Sequence, residues 1–272
     1  MSVPLIGMDD GHKIPQIGLG LWQVKDQTEF NTAFQTGIDV GYRHFDSAQA
    51  YENEQYLGEA WKKSGIPRDE LFLTTKIKVQ NFGRKHVQSS YDESLKKVQS
   101  DYFDLLLLHF PVTLLRKNAW LELEKIKAAG GAKSIGVSNY TIRHLEEMKE
   151  YANEMPAINQ VELHVFLQQP ELIKYCQDHD IVVEAYSPLA HAHAMDEPII
   201  QAIADKHGKT YAQIMLRWLV EQGLVILPKS VTPSRIKENF EVFDFKLDDE
   251  DLEKIAPLER GMRTCWSPVH VP

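Results

Sequence analysis

Gly41-Tyr42-Arg43-His44-Phe45-Asp46, Leu71-Phe72-Leu73-Thr74-Thr75-Lys76 and Phe103-Asp104-Leu105-Leu106-Leu107-Leu108-His109 are three strand-like runs of one build, each closing on a polar side chain. Tyr51 follows the first run after five residues. In a parallel barrel all strand C-termini open on one face, so residues far apart in sequence converge there. An acid, a phenol, an ammonium and an imidazole gathered at one mouth make a proton-transfer site.

Outward from these runs the same alternation continues. Short β-rich segments near 16–21, 41–46, 71–76, 103–109, 132–137, 157–162, 181–186 and 224–228 alternate with amphipathic stretches. Helices are expected over 29–40, 53–64, 85–99, 115–129, 142–151, 169–179, 210–222 and 234–243, with an extra one over 197–207. Alternating β and α, with several strands apolar on both faces, predicts a parallel sheet covered by helices. Eight such units in 272 residues suit a closed (β/α)8 TIM barrel, α/β in class. Ahead of it, Asp9-Asp10-Gly11 between two extended pieces (4–6 and 12–15) signals an N-terminal β-hairpin. No linker or low-complexity tract interrupts the pattern, so residues 1–272 are expected to form one domain. The competing doubly wound nucleotide-binding sheet lacks its fingerprint: Gly18-Leu19-Gly20 has no third glycine at the required spacing. Gly136-Val137-Ser138-Asn139-Tyr140 lacks the second glycine of a nucleophile elbow.

With 43% hydrophobic and 25% charged residues, the chain has the composition of a soluble globular protein. A net charge of −9 argues against a nucleic-acid binder that works through a broad basic surface. No apolar run reaches the length of a membrane span, and the first seven residues show no basic, then apolar leader. Cys176 and Cys265 are too few for a disulfide framework and fit a reducing compartment, so the cytoplasm is the expected location.

The four polar residues fit one job. A free tyrosine has a pKa of about 10. A unit charge at ~4 Å and an effective dielectric of ~20 is worth about 4 kcal/mol, so Lys76 is expected to make Tyr51 a stronger acid. Asp46 offsets part of that shift while keeping Lys76 charged, and His109 can orient a carbonyl oxygen by a hydrogen bond. Taken singly each has a plainer reading: a strand end for Asp46 and Lys76, a helix-flanking ring for Tyr51, a core histidine for His109. A second constellation, Lys229-Ser230-Val231-Thr232-Pro233-Ser234-Arg235 with Glu238 and Asn239, can hold a phosphate at a helix N-terminus or be a solvated cationic loop; spacing alone leaves both open. His191-Ala192-His193 has the look of a metal-site fragment, but no third ligand stands beside it, so no metal is expected and a lid loop is the better reading. Trp120 and Trp218 lie in helical patterns and are expected in the core, whereas Trp22 and Phe110 follow strand ends and are expected to line a pocket.

With these residues in hand, the chain resembles the aldo-keto reductases over nearly its whole length. The resemblance rests on 41–48 with Tyr51, Asn53 and Glu54; Thr74-Thr75-Lys76; 101–105 with His109 and Pro111; Ser134-Ile135-Gly136-Val137-Ser138-Asn139; Asn159-Gln160-Val161-Glu162; and Ile226-Leu227-Pro228-Lys229-Ser230-Val231. It implies a barrel that binds NADPH/NADP+ across its mouth, with Tyr51 as general acid, Lys76 and Asp46 tuning it and His109 placing the carbonyl. It further implies that Ser138, Asn139 and Gln160 hold the nicotinamide carboxamide and that Tyr186 stacks on the ring. Ser187, Pro188 and Leu189 would follow the pyrophosphate. Lys229, Ser230 and Arg235 would take the 2′-phosphate, with Val231 and Thr232 in the same loop and Glu238 and Asn239 near adenine.

The chain departs from the commoner family pattern at the pocket. Phe110 stands where many members have Trp, and Ile77-Lys78 where they carry Leu-Trp. A wider, more polar pocket follows, with Lys78 placed to meet an anionic group or to point into solvent. The compact segment 112–116 and the short tail after Gly261 most resemble the microbial branch that includes 2,5-diketo-D-gluconate reductases. A monomer acting on small-molecule carbonyls is expected, with a cofactor-sensing regulatory protein on the same barrel as the alternative.

Overall fold

The structure is a computed structural model that describes residues 3–272; Met1 and Ser2, the start of the stretch read for a leader, lie outside it. Two antiparallel strands, β1 (Leu5–Gly7) and β2 (Lys13–Pro15), pair with Ile6 opposite Ile14. Eight parallel strands follow: β3 (Leu19–Gly20), β4 (His44–Asp46), β5 (Phe72–Ile77), β6 (Phe103–Leu108), β7 (Ala132–Ser138), β8 (Ile158–Glu162), β9 (Val182–Tyr186) and β10 (Val225–Leu227). Each pairs with its neighbour in chain order. The sheet closes where the segment leading into β3 meets β10: Gly18 N–H donates to Ile226 O at 2.9 Å and Ile226 N–H to Gln16 O at 3.0 Å. Closure needs a glycine there, because a Cβ on Gly18 would stand 2.5 Å from His44 Nδ1.

Among the described residues ten helices pack outside: α1 (Gln27–Val40), α2 (Glu54–Ser64), α3 (Arg84–Val98), α4 (Arg116–Ala128), α5 (Ile142–Met148), α6 (Pro170–Asp178), α7 (Pro198–His207), α8 (Tyr211–Glu221), α9 (Pro233–Phe240) and α10 (Asp249–Ile255). Their ends follow local chemistry. Asp26 accepts from Glu29 N–H at the start of α1, and Gly41, at φ +116°, ends it and turns the chain into β4. The strand before α1 is shorter than the sequence suggests, since only Leu19–Gly20 is regular and Ile17 makes an isolated bridge to Ile226. α10 is the element that the sequence reading did not anticipate. Its acidic start, Asp248-Asp249-Glu250-Asp251, has the look of a solvated charge run. It is a capping box, with Asp248 accepting from Asp251 N–H at 3.0 Å and Asp251 buried under Lys206 and His207.

Alternation along the strands builds two cores. Outward residues such as Leu106 and Leu108 join the large layer beneath the helices, with Trp120 and Trp218. Inward residues at the strand starts, among them Phe72, Leu105, Ile158 and Val225, pack with Met8 and Ile14 of the hairpin, which plugs that end of the barrel. Further along the same inward faces the side chains turn polar: His44 then Asp46, Thr74 then Lys76, Glu184 then Tyr186, all on the way to the opposite mouth. No helix among the described residues is long and apolar enough to cross a membrane.

α2 lies so close to the end of α3 that a Cβ on Gly58 would meet Lys97 O at 2.3 Å and the Val98 carbonyl carbon at 2.8 Å, backbone atoms that cannot rotate away. Gly58→Ala is expected to destabilise the fold by about 1–3 kcal/mol through overpacking, read as a lower urea midpoint at unchanged slope; an unchanged midpoint would show that the two helices can part freely.

Candidate active site

Lys76 stands at the centre of the polar mouth. It is completely buried, and its three ammonium protons have three acceptors: Asp46 Oδ1 at 2.5 Å, Ser47 O at 3.0 Å and Tyr51 Oη at 3.2 Å. The Tyr51 and His109 rings meet edge to face, 5.7 Å between centroids. The four residues singled out in the sequence therefore converge.

Tyr51 sits on a short 3-10 turn, Gln49–Tyr51, which is held from both sides. Ser47 Oγ donates to Asn53 Oδ1 at 2.8 Å, and Asn53 Nδ2 donates to Leu21 O and Val24 O of the segment that follows β3. Gln49 Nε2 donates to Ser90 O and Ser94 Oγ of α3, while its Oε1 accepts from Lys78 N–H and Asn81 Nδ2. A phenol on a loop is thus placed as firmly as one on a strand.

Burial and neighbouring charge set the protonation states. Burial pulls the Lys76 ammonium down, but Asp46 and Tyr51 outweigh it and hold Lys76 above the usual lysine range. For Tyr51 the balance differs from the sequence-based expectation of a stronger acid. Burial pushes the hydroxyl up to about 12; Lys76 pulls it down and Asp46 pushes it up again, so Lys76 limits a rise and does not produce a net fall. His109 is pushed down to about 3 by burial and by Lys76, and is a neutral imidazole at pH 7.

Behind this group lies Glu184, which sequence reasoning passed over. Gln160 Nε2 donates to both Asp46 Oδ2 at 2.9 Å and Glu184 Oε2 at 2.7 Å. The Asp46 carboxylate, paired with Lys76, can only accept, so it is the NH2 end of the Gln160 amide that faces it. Glu184 is wholly buried, with His44 Nε2 3.6 Å from its other oxygen. A lone charge inside Val182-Val183-Glu184-Ala185-Tyr186 is the signal that would have found it. Glu162 was likewise passed over: its carboxylate accepts from Thr264 N–H, Thr264 Oγ1 and Cys265 N–H, tying the tail to the mouth.

Ser138, Asn139, Gln160 and Tyr186 also come together. Ser138 Oγ donates to Gln160 O, Asn139 Nδ2 to His109 O, and Tyr186 Oη to Asn139 Oδ1 at 2.7 Å. Gln160 Oε1 accepts from no donor among the described residues. After β9, Ser187 takes φ +48° and its Oγ lies 3.1 Å from His191 Nε2 and 3.5 Å from Cys265 Sγ; Pro188 is buried and Leu189 half-buried. His191 packs its ring 5.6 Å from Trp22 across the mouth, so the His191-Ala192-His193 stretch is a rim loop and Trp22 is its partner. Phe110 is half-buried beside His109.

At the end of β10, Ser230 is buried and its Oγ accepts from Thr232 N–H at 3.1 Å, shaping the turn into α9. Lys229 and Arg235 are exposed and make no ion pair among the described residues, and Val231 is half-buried between them. Glu238 accepts from Thr210 Oγ1 at 2.7 Å and Asn239 is buried on the same helix. Lys78 is half-buried; its backbone N–H donates to Gln49 Oε1 at 3.1 Å, and its charge is felt at the buried Glu54 carboxyl.

A sequence profile described as the aldo/keto reductase family matches residues 16–260. Among curated proteins, methylglyoxal reductase DkgA of Escherichia coli (strain K12) is 44% identical over 263 residues, covering 95% of this chain and 94% of its own. Glyoxal reductase of Bacillus subtilis (strain 168) is 39% identical over 263 residues, covering 97% and 95%. Among solved structures, a Bombyx mori aldo-keto reductase in complex with NADP has a TM-score of 0.92 and 32% identity, with 97% of this chain and 95% of that chain covered.

The two imidazoles, His44 buried and His109 half-buried, carry a stability signature. His44, like His109, is pushed down to about 3, chiefly by burial. The unfolded chain takes up a proton at each near the ordinary value of 6.5, whereas the folded chain resists until about pH 3. Their contribution is complete above about pH 6.5 and is lost as pH falls through that window. Urea midpoints are expected to drop from pH 7 to pH 4, and the drop is expected to shrink in His44→Asn. In NMR spectra the His109 ring signals are expected not to titrate between pH 5 and 8; a midpoint near 6.5 would show a solvated ring.

Proposed function

The chain belongs to the aldo/keto reductase family and is an oxidoreductase that uses NADP(H), and from that premise we propose that it reduces small aldehydes and ketones to alcohols with Tyr51 as proton donor. The observation that carries this reading is the buried Lys76 ammonium shared by Asp46, Ser47 O and Tyr51, with a neutral His109 facing the same phenol.

The residues at the mouth fit a dinucleotide. Gln160 Oε1 is left to accept from a carboxamide, Ser138 and Asn139 stand beside it, and Tyr186 offers a ring. Unpaired Lys229 and Arg235, with Ser230 and the α9 N-terminus, suit a 2′-phosphate. Ser187, Pro188 and Leu189 lie on the path between, Val231 and Thr232 line the phosphate turn, and Glu238 and Asn239 are left for the base. When bound, the dihydronicotinamide supplies a hydride to the carbonyl carbon.

The chain's own residues do the rest. His109, neutral, can donate one N–H to the carbonyl oxygen but holds no second proton to give. Tyr51, protonated throughout the neutral range, transfers its proton to that oxygen, and the alcohol results. Lys76, 3.2 Å away, stabilises the tyrosinate formed, worth about 5 kcal/mol at an effective dielectric of ~20. Oxidation of an alcohol needs Tyr51 deprotonated beforehand, so a hydroxyl pushed up to about 12 favours the reductive direction at neutral pH.

The names of the two bacterial relatives make methylglyoxal and glyoxal the first substrates to test, and keto sugars or keto acids the second class. Trp22 and Phe110 form the rim of the substrate pocket in this reading, with Lys78 following the end of β5. A single barrel domain carries cofactor and substrate, as a monomer in the cytoplasm.

Purified protein mixed with NADPH and methylglyoxal, glyoxal or a keto sugar acid is expected to show carbonyl-dependent loss of absorbance at the NADPH band. Tight NADPH binding without turnover of any carbonyl would instead favour a regulatory role. Tyr51→Phe is expected to lower kcat by about 10²–10⁴-fold with NADPH affinity within a few fold of wild type; wild-type turnover would remove Tyr51 from its role. Arg235→Ala is expected to weaken NADPH about tenfold and leave NADH nearly unchanged, and equal losses for both would contradict the 2′-phosphate assignment.

A further inference from the structure

Glu184 is a buried carboxyl that the proton transfer does not use. Its side chain points into the barrel two residues before Tyr186 and is wholly enclosed. From β4 it is faced by Asp46 and His44, from β5 by Lys76 and from β8 by Gln160, while its partner on β10 is Val225. Glu162, the next inward residue on β8, is committed to Thr264 and Cys265. Lys76 has spent its three protons on Asp46, Ser47 and Tyr51, and His44 is neutral, so Glu184 has no cation of its own.

One amide therefore serves two carboxyl groups. Asp46 Oδ2 and Glu184 Oε2 both accept from Gln160 Nε2, which keeps these oxygens within about 6 Å of each other in a site without water-like screening. Two negative charges cannot both be held there by one ammonium that already belongs to Asp46. We infer that Glu184, as a neutral acid, is a positioning residue of the reductase site: it fixes the Gln160 amide, which then steadies Asp46 against Lys76 and presents Oε1 to the mouth. Burial first, and then Asp46, push the Glu184 carboxyl up to about 8, in keeping with this geometry.

The consequence is a built-in sensitivity to alkali. Ionised Glu184 competes with Asp46 for the Gln160 amide and sets a second negative charge near Lys76. Tyrosinate formation at Tyr51 becomes harder, and reduction slows well below the pH at which Tyr51 itself titrates.

The inference rests on the reductase reading for its kinetic part only. Glu184→Gln keeps a neutral acceptor for the Gln160 amide, whereas Glu184→Leu removes it. Wild-type kcat for carbonyl reduction is expected to fall about tenfold as pH rises from 7 to 9, and Glu184→Gln is expected to match wild type within threefold at pH 6.5 and to lose that falling limb. Glu184→Leu is expected to bind NADPH about tenfold more weakly, by fluorescence titration, with Glu184→Gln restoring the affinity. Independently of turnover, the infrared difference between wild type and Glu184→Gln is expected to contain the carbonyl stretch of a protonated carboxylic acid at pH 6.5 that disappears through about pH 8. Absence of that band, or its loss near the ordinary carboxylate range, would overturn the neutral acid. A band that titrates as expected, with an unchanged pH–rate profile in Glu184→Gln, would overturn the positioning role. If no carbonyl is turned over by wild type, the reductase reading fails, and the band and the NADPH affinities still decide whether Glu184 is neutral and orders Gln160.

Discussion

A fully buried ammonium is the constraint from which the rest of this site follows. Taking a lysine side chain out of water costs several kcal/mol unless every proton finds an acceptor and a counter-charge lies close. Lys76 meets both conditions with one carboxylate, one backbone carbonyl and one phenol, and none of the three can move without leaving a buried proton unmatched. Asp46 and Ser47 must therefore lie at the end of β4, next to β5 in the sheet, and the turn that carries Tyr51 must return over Lys76. The elaborate anchoring of that turn by Asn53 and Gln49 is the structural counterpart of this demand: a loop that supplies an acceptor to a buried charge has to be as rigid as the charge.

The barrel supplies the gradient that makes such a site possible. Its inward faces begin with Phe72, Leu105, Ile158 and Val225 against the hairpin plug and become polar only toward the strand C-termini. The apolar floor excludes water from below, so interactions above it act at low effective dielectric. The same exclusion pushes His44 and His109 down and Tyr51 and Glu184 up. Burial is the first cause for all four and favours their neutral forms, and the charged Lys76–Asp46 pair lies among them.

This division explains what could be read from sequence and what could not. Strand order, the hairpin and the convergence of Asp46, Tyr51, Lys76 and His109 follow from periodicity and from the rule that parallel strands end on one face. The exact hydrogen-bond closure did not: only two residues of the segment 16–21 are regular strand, and Ile17 meets β10 through an isolated bridge to Ile226. α10 was hidden because a run of acids reads as solvent-facing until Lys206 and His207, 45 and 44 residues away, are seen to cover Asp251. The sign of the Tyr51 shift was misjudged for a related reason. A neighbouring charge is visible in a motif, whereas desolvation belongs to the assembled interior, and here it is the larger effect. Glu184 is the extreme case, since in sequence it is one charge in a strand and in the fold it shares an amide with the central carboxylate.

The neutral forms also give the site a direction. A protonated tyrosine beside an unprotonated histidine leaves one group able to deliver a proton and one able only to orient an oxygen. Were His109 in the range of a solvated imidazole, the two would compete as acids and the oxygen would have no fixed donor. Were Tyr51 shifted strongly down by Lys76, the resting site would hold tyrosinate and be set for alcohol oxidation instead. Burial prevents both outcomes at once: Lys76 only limits the rise of the resting phenol, and in the proposed reduction its larger effect would fall on the tyrosinate that forms.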